Sequence, residues 1–352
     1  MARRATTMIL GTVLALFFSA APFAQQEFEK KQDEAMKKEA EALSKLAEDA
    51  LMARGGPNDF SLTWVNQDFL QGPKGKEFVP FTFSLDPTKV NGGTLMVYWR
   101  VVPQAAAAAA ADAKNAKRVE PVWERAGLVS VAGGTTPVRL SRFFEAPAGT
   151  YDVYIVTKEI PSEKAPKNSP PPKTVVLKQS VDVPDFWNGE LATSSVVVVD
   201  KIEPLAAPLN NAQLIERPYA RLGVFELTPA ATTKFTKANQ LSVFFLIYNP
   251  KNDAGKPDLN VEYVFCQAMA GNQPGADEPC KSGEKFYNKT APQALNATTL
   301  PAQFDLNAGH MLPSEQAVPL SGFPAGDYRL EIKVTDKLGN QTVTRDVNFS
   351  VS

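Results

Sequence analysis

The chain has 352 residues, is 44% hydrophobic and carries a formal net charge of −1 at pH 7. That is enough apolar material for two cores of ordinary size, and no whole-molecule field draws the chain to nucleic acid or to an anionic membrane. Its 28 prolines and 21 glycines suit short strands joined by turns rather than a helical protein.

In chain order, residues 1–24 read as a secretory signal peptide. Arg3 and Arg4 precede an apolar stretch, residues 8–21, too short for a comfortable membrane span. Cleavage is placed after Ala24, because Pro22 spoils a cut after Ala21; an uncleaved anchor is the alternative. No cysteine lies nearby to carry a lipid, and no later segment is apolar enough to span. The expectation is a periplasmic or extracellular protein with no transmembrane anchor after cleavage.

Residues 25–56 read as one charged helix. Acid precedes base by four residues at Glu27/Lys31, Asp33/Lys37, Glu34/Lys38 and Glu41/Lys45, the favourable order for helical pairs. Met36, Ala40, Leu43, Ala47 and Ala50 make a narrow apolar stripe. It lies on the first β-domain, stands out as a solvated stalk, or forms an interface with another chain, a homo-oligomer through residues 25–54. Gly55-Gly56-Pro57 ends the helix.

A first β-domain is expected over residues 57–187, with strands at 60–65, 78–85, 94–102, 128–131, 137–143, 151–157 and 174–183. Two insertions interrupt it. The alanine run 105–111 is either a short surface helix or a loosely ordered insertion, and the proline-rich 158–173 must be an extended surface loop. Residues 188–208 link the halves, and the unbroken apolar run Val196 to Val199 predicts an opening strand buried on both faces. The second β-domain, 209–352, offers strands at 220–227, 241–248, 259–266, 285–288 and 316–320 before a terminal hairpin. Cys266 and Cys280 are the natural disulfide of an oxidising compartment, worth roughly 3 kcal/mol for a loop of this length, with two free thiols as the alternative.

The halves echo one another. Pro147-Ala148-Gly149 before Tyr151 recurs as Pro324-Ala325-Gly326 before Tyr328, each followed by two-residue alternation. Leu95, Val97, Trp99 and Val101 match Leu259, Val261, Tyr263 and Phe265, and Leu85-Asp86-Pro87 matches Tyr248-Asn249-Pro250. The fold class is therefore all-β: two tandem immunoglobulin-like β-sandwiches after a signal peptide and one α-helix.

Two resemblances support this reading. The Pro-Ala-Gly-x-Tyr corner resembles the penultimate strand of immunoglobulin-like and fibronectin type III-like sandwiches, which implies that Tyr151 and Tyr328 tie their hydroxyls to upstream backbone. Residues 191–351 are similar to the C-terminal β-region of a poorly characterised group of secreted bacterial proteins. The runs that carry this are Ser195 to Leu205, Lys256 to Leu259, Leu300 to Asp305 and Gly326 to Ile332. Some members of that group carry von Willebrand A-type or Gly-Trp-x-Thr-Asp domains, and neither motif occurs here. The resemblance implies export and β-architecture, and no activity.

Catalytic constellations are sparse. His310 is the single histidine and no Gly-x-Ser-x-Gly elbow accompanies it. One histidine and two distant cysteines make no zinc set, and no phosphate-loop motif occurs. The acidic pairs Asp182/Asp185, Asp253/Asp258 and Glu331/Asp336 read as solvated faces, and the loop 252–258 as a turn rather than a calcium site. Trp99 belongs in a core, whereas Trp187 is the tryptophan best placed to stack on a ligand. The expected function is a non-catalytic binding or assembly protein of the bacterial envelope, with no cofactor and no metal. Its partner would be an envelope protein or a glycan. A carbohydrate-binding protein using exposed aromatics and a hydrolase of unrecognised type are the alternatives.

Overall fold

The computed structural model describes residues 21–52, 56–91, 93–112, 118–131, 133–161, 166, 168–269 and 279–352, with side chains from residue 34 onward. Residues 1–20 of the expected signal peptide lie outside these. A helix α1 (Ala21–Leu51) comes first, beginning four residues before the expected 25. Eight strands follow: β1 (Leu62–Gln67), β2 (Leu70–Gln71), β3 (Glu77–Leu85), β4 (Gly93–Pro103), β5 (Trp123–Val131), β6 (Val138–Ala146), β7 (Gly149–Ile160) and β8 (Thr174–Val183). In one sheet β3 lies between β6 and the β1–β2 pair, and the other runs β5-β4-β7-β8, antiparallel throughout. Alternation decides which side chains meet. Val79, Phe81 and Phe83 from one sheet face Leu95, Val97, Trp99 and Val101 from the other in one core.

The second half repeats the plan. Its strands are β9 (Ala192–Thr193), β10 (Val197–Pro204), β11 (Phe225–Pro229), β12 (Lys234–Phe235), β13 (Gln240–Tyr248), β14 (Asn252–Asp253), β15 (Lys256–Pro257), β16 (Leu259–Ala268), β17 (Glu284–Lys289), β18 (Gln293–Leu295), β19 (Leu312–Pro319), β20 (Gly326–Asp336) and β21 (Gln341–Val351). One sheet is β11-β10-β13-β19, with β9 also on β13; the other is β12-β21-β20-β16 with β17 and β18 beyond. The expected strand 220–227 is displaced. Pro218–Ala220 is instead a 3-10 turn, and Gly223 turns the chain at φ +79° before β11 begins at Phe225.

The copies correspond strand for strand: β3 to β13, β4 to β16, β6 to β19, β7 to β20 and β8 to β21. Register agrees too, since Trp99 pairs with Ile155 where Tyr263 pairs with Ile332. Both central aromatics reach across their core to the facing sheet. The Trp99 indole N–H donates to the Phe143 carbonyl at 2.8 Å, and the Tyr263 hydroxyl lies 2.8 Å from Ser314 Oγ. Each copy also buries an acid near the end of its tyrosine-led strand. Glu159 accepts from the backbone amides of Asn91 and Lys173, and Asp336 from those of Lys251, Leu338 and Gly339. Each acid thereby ties together two separate connecting segments.

The outer face of the β5-β4-β7-β8 sheet is apolar and is covered by helices. Leu43, Ala47 and Leu51 of α1 and Ala107 of α2 (Gln104–Asp112) pack on Met96, Tyr98, Val102, Tyr154 and Val156. The alanine run is thus a helix, docked by one methyl face. Arg100, fully buried under α1, donates to Glu48 at 3.0 Å. Of the expected stripe, Ala40, Leu43, Ala47 and Ala50 lie in this contact. They are occupied within the chain, which removes them as a surface for a second copy; Met36 lies farther out, half-buried.

A third apolar layer joins the halves. Phe244, Leu246 and Tyr248 point from β13 away from their own core and pack with Val197, Val199 and Leu227 against Leu70, Phe78 and Phe143 of the first sandwich. The opposite sides of the same strands, Val196, Val198, Val243, Phe245 and Ile247, belong to the second core. The apolar run at 196–199 is thus covered on both faces.

Candidate functional site

The expected site residues fall in four places. Tyr151 and Tyr328 donate their hydroxyls to the carbonyls of Pro147 and Pro324, at 3.0 and 2.8 Å, each closing a corner four residues long. Cys266 and Cys280 are bonded to each other, with Cα atoms 5.7 Å apart. Their sulfurs gather with Glu284, yet a disulfide sulfur is no thiolate and makes a poor metal ligand. Beside them the buried Arg329 binds Glu284, Glu331 and Asp346; Glu331 is thus an ion-pair member and Asp336 is fully buried, so this pair is not the solvated face expected of it. Asp258 pairs with Lys337 at 3.1 Å.

The loop at 252–258 is a two-stranded ribbon, β14 and β15, turning through Ala254 and Gly255 at φ +47° and +79°. The Lys256 ammonium donates to the carbonyls of Pro301, Ala302 and Phe304. A cation of the chain's own already sits on the oxygens beside this loop, which argues against a calcium site there.

His310 lines a cleft between the sandwiches, and Trp187 is tied to that cleft through its neighbour Phe186. A cleft of about 290 Å³ opens where the two sandwiches meet, lined by Gln71 from the first and by Tyr248, Asn249, Pro250, His310 and Met311 from the second. The His310 Nδ1 accepts from the Asp305 backbone amide at 3.0 Å, which leaves the ring proton on Nε2. Among the described residues no serine, threonine or cysteine bonds to this ring. Trp187 is 47% exposed and its indole donates to the Lys76 carbonyl. The preceding Phe186 carbonyl accepts from the side-chain amides of both Gln71 and Asn249 at 2.9 Å. The flank of the cleft is therefore held from both halves.

Behind the cleft the contact is polar in places that single-sequence reading passes over. Asp68 accepts from the Tyr219 hydroxyl at 2.6 Å, and burial pushes its carboxyl up to about 6 although that bond favours the charged form. Glu77 accepts from the Phe186 amide at 2.9 Å. Burial raises it to about 7, with Asp185 adding to the rise and that amide opposing it. The Tyr248 hydroxyl accepts from the Gln71 amide, and its own pKa is pushed up chiefly by burial. Ser195 and Phe69 exchange two hydrogen bonds, backbone to backbone and amide to hydroxyl. Arg221 crosses the contact to Glu145 at 2.9 Å. In the first sandwich Arg142, 3% exposed, donates from Nη1 to the Ser141 carbonyl while its Nε and Nη2 find no acceptor. Its guanidinium lies over the Trp99 ring, 5.8 Å from the centroid.

One clue to this layer is present in the sequence. Residues Val243 to Tyr248 are six apolar residues in a row, more than one buried face of an antiparallel strand needs. Asp68 and Glu77 carry no such signal, because an isolated acid beside an apolar run reads as a strand end.

No protein-family model matches the chain, and no curated protein matches it. Among solved structures, an immunoglobulin-like protein from Pseudomonas aeruginosa is 13% identical, with a TM-score of 0.20, over 45% of this chain and 97% of that one. A Salmonella alpha-2-macroglobulin mutant is 14% identical, with a TM-score of 0.21, over 84% of this chain and 17% of that one. A red sea bream transglutaminase is 9% identical, with a TM-score of 0.21, over 84% and 31%. Likenesses of this size carry no argument about activity, and the fold assignment rests on the strand order and register above. No described helix is long and apolar enough to cross a membrane.

Proposed function

We propose that the chain is a non-catalytic binding or assembly protein, exported to the bacterial envelope through residues 1–24, whose ligand seats at the crease between its two sandwiches. The observation that supports this most is the crease itself. There the exposed Met311 lies among hydrogen-bonding groups contributed by both halves, and the exposed Trp187 follows Phe186, whose carbonyl binds the lining residues Gln71 and Asn249, the mix of apolar body and placed polar groups that binding sites use. The resemblance of residues 191–351 to exported bacterial β-regions points the same way. A protein partner is the first reading. A glycan stacking on Trp187 is the second, favoured by the exposure of that indole.

The test is a cross-linked capture from the native envelope fraction with the full chain, set beside Trp187→Ala and Met311→Ala, with a glycan array run on the same three proteins. Loss of the captured species or of array binding in both variants supports the crease. Equal recovery by all three proteins would place the binding surface elsewhere, and a broad hydrolase screen with and without a chelator then becomes the decisive experiment.

A further inference from the structure

The contact between the halves combines an apolar layer with two carboxyls that no cation neutralises. Asp68 is 8% and Glu77 1% exposed. The groups facing them can be named from every side. Tyr219 and Asn66 face Asp68, with the Thr82–Ser141 hydroxyl pair behind. The Phe186 and Gly72 amides, Asp185 and Tyr248 surround Glu77. The nearby arginines are directed elsewhere: Arg221 to Glu145 and over the Phe78 ring, Arg142 to the Ser141 carbonyl with Glu216 acting on it, and Arg139 to the Ala231 carbonyl; Lys76, next to Glu77 in the chain, is exposed. No lysine, arginine or histidine bonds either carboxyl among the described residues.

An ionised carboxylate in such a place loses its hydration and gains too little in return. A neutral one fits better. Asn66 Oδ1 is buried without a donor while its amide nitrogen lies 3.4 Å from Asp68 Oδ2, so turning that amide over sets its oxygen against a protonated Asp68 and supplies the missing donor. The Glu77 Oε2 is likewise buried without a partner, a cost that falls when the group carries no charge. The Tyr219 that holds Asp68 belongs to the other half, and the Phe186 that holds Glu77, though it follows β8 of the same half, packs its ring 5.0 Å from that of Tyr248 across the contact.

We propose that the seating of one sandwich on the other is a proton-dependent lock, closed while Asp68 and Glu77 are protonated and loosened when both ionise. The direction follows from linkage. Once the halves part, both groups meet water and ionise near pH 4, whereas in the closed contact they hold their protons until about 6 and about 7. Closure is therefore strongest in mild acid, weakens as pH rises through that window, and levels off above it. The crease cleft shares Gln71 and Tyr248 with this contact, so loosening also alters the cleft.

Hydrogen exchange of the full chain, followed by mass spectrometry between pD 5 and pD 8 and corrected for intrinsic rates, tests this. Peptides carrying the amides of Phe69, Gln71 and Ser195, all bonded across the contact, should lose protection at least ~10-fold more than core peptides from β4 and β20. In Asp68→Asn/Glu77→Gln the contact peptides should keep the same protection at both ends of the range. Wild-type contact and core peptides that change in parallel would overturn the lock, and so would a double variant that retains the excess loss. Should the double variant fail to fold, Glu77→Gln alone decides. It must abolish the part of the loss lying between pD 6 and pD 8, and an unchanged profile counts against the proposal.

Discussion

Leu43→Ala probes how firmly α1 is held. Leu43 is fully buried against Met96, Tyr98, Tyr154 and Val156, with Ala47 and Leu51 beside it. Burying the two leucines contributes roughly 2–3 kcal/mol each and the alanine less, so docking is worth on the order of 5 kcal/mol before the ordering of the helix is charged against it. Truncating Leu43 removes about 3 kcal/mol once the cavity is included. At a factor of ten for every ~1.4 kcal/mol, helix amides should lose roughly 100-fold in exchange protection. The assay compares peptides from residues 34–51 with peptides from β3, which should not change, and uses the exposed Glu41→Ala as control. Sedimentation runs alongside. If Leu43→Ala left helix protection untouched, or turned a dimer into a monomer, the helix would have to be held by something other than this sheet face.

Three further outcomes follow from the described contacts. Tyr151→Phe and Tyr328→Phe should each cost about 1 kcal/mol in urea unfolding, and the double variant should cost their sum, since the corners lie in separate cores; a neutral single variant would refute the corner's role. The Arg329 bonds hold Glu284 below the ordinary carboxylate range. On Asp346, burial works the other way, but the bonds to Lys281 and Arg329 outweigh it. That stabilisation is present above about pH 4–5 and is lost as pH falls through the depressed values. Arg329→Met should lower stability near pH 7 by about 3 kcal/mol and flatten the acid limb of a Tm-against-pH curve, whereas an unchanged limb would assign it to other groups. Replacing both Cys266 and Cys280 by alanine should cost roughly 3 kcal/mol, and two alkylatable thiols in the unreduced wild-type protein would contradict the bond.

Much of the architecture can be read from local pattern. Alternation and turn residues locate the tyrosine-led ribbons, because a half-buried strand repeats every second residue. The same logic places β3, β4, β8 and β16 within a residue or two. It fails at 220–227, where Tyr219, Ala220 and Leu222 are apolar because they pack on the first sandwich, not because they alternate in a strand. It also leaves the helix stripe undecided between an internal and an external partner, since a row of small residues reads alike in both. The crease is harder still. Gln71, Tyr248 and His310 are brought together by the way two cores stack, and no spacing along the chain encodes that.

From Val243 to Tyr248 the central strand of the second half is wet on neither side. A fragment cut between the halves would leave Phe244, Leu246 and Tyr248 facing solvent beside Val197 and Leu227, an adhesive patch that invites aggregation. The halves share one strand pattern, and the apolar layer between them couples the two. Whichever end of the chain is tethered, a pull on one sandwich is felt by the other.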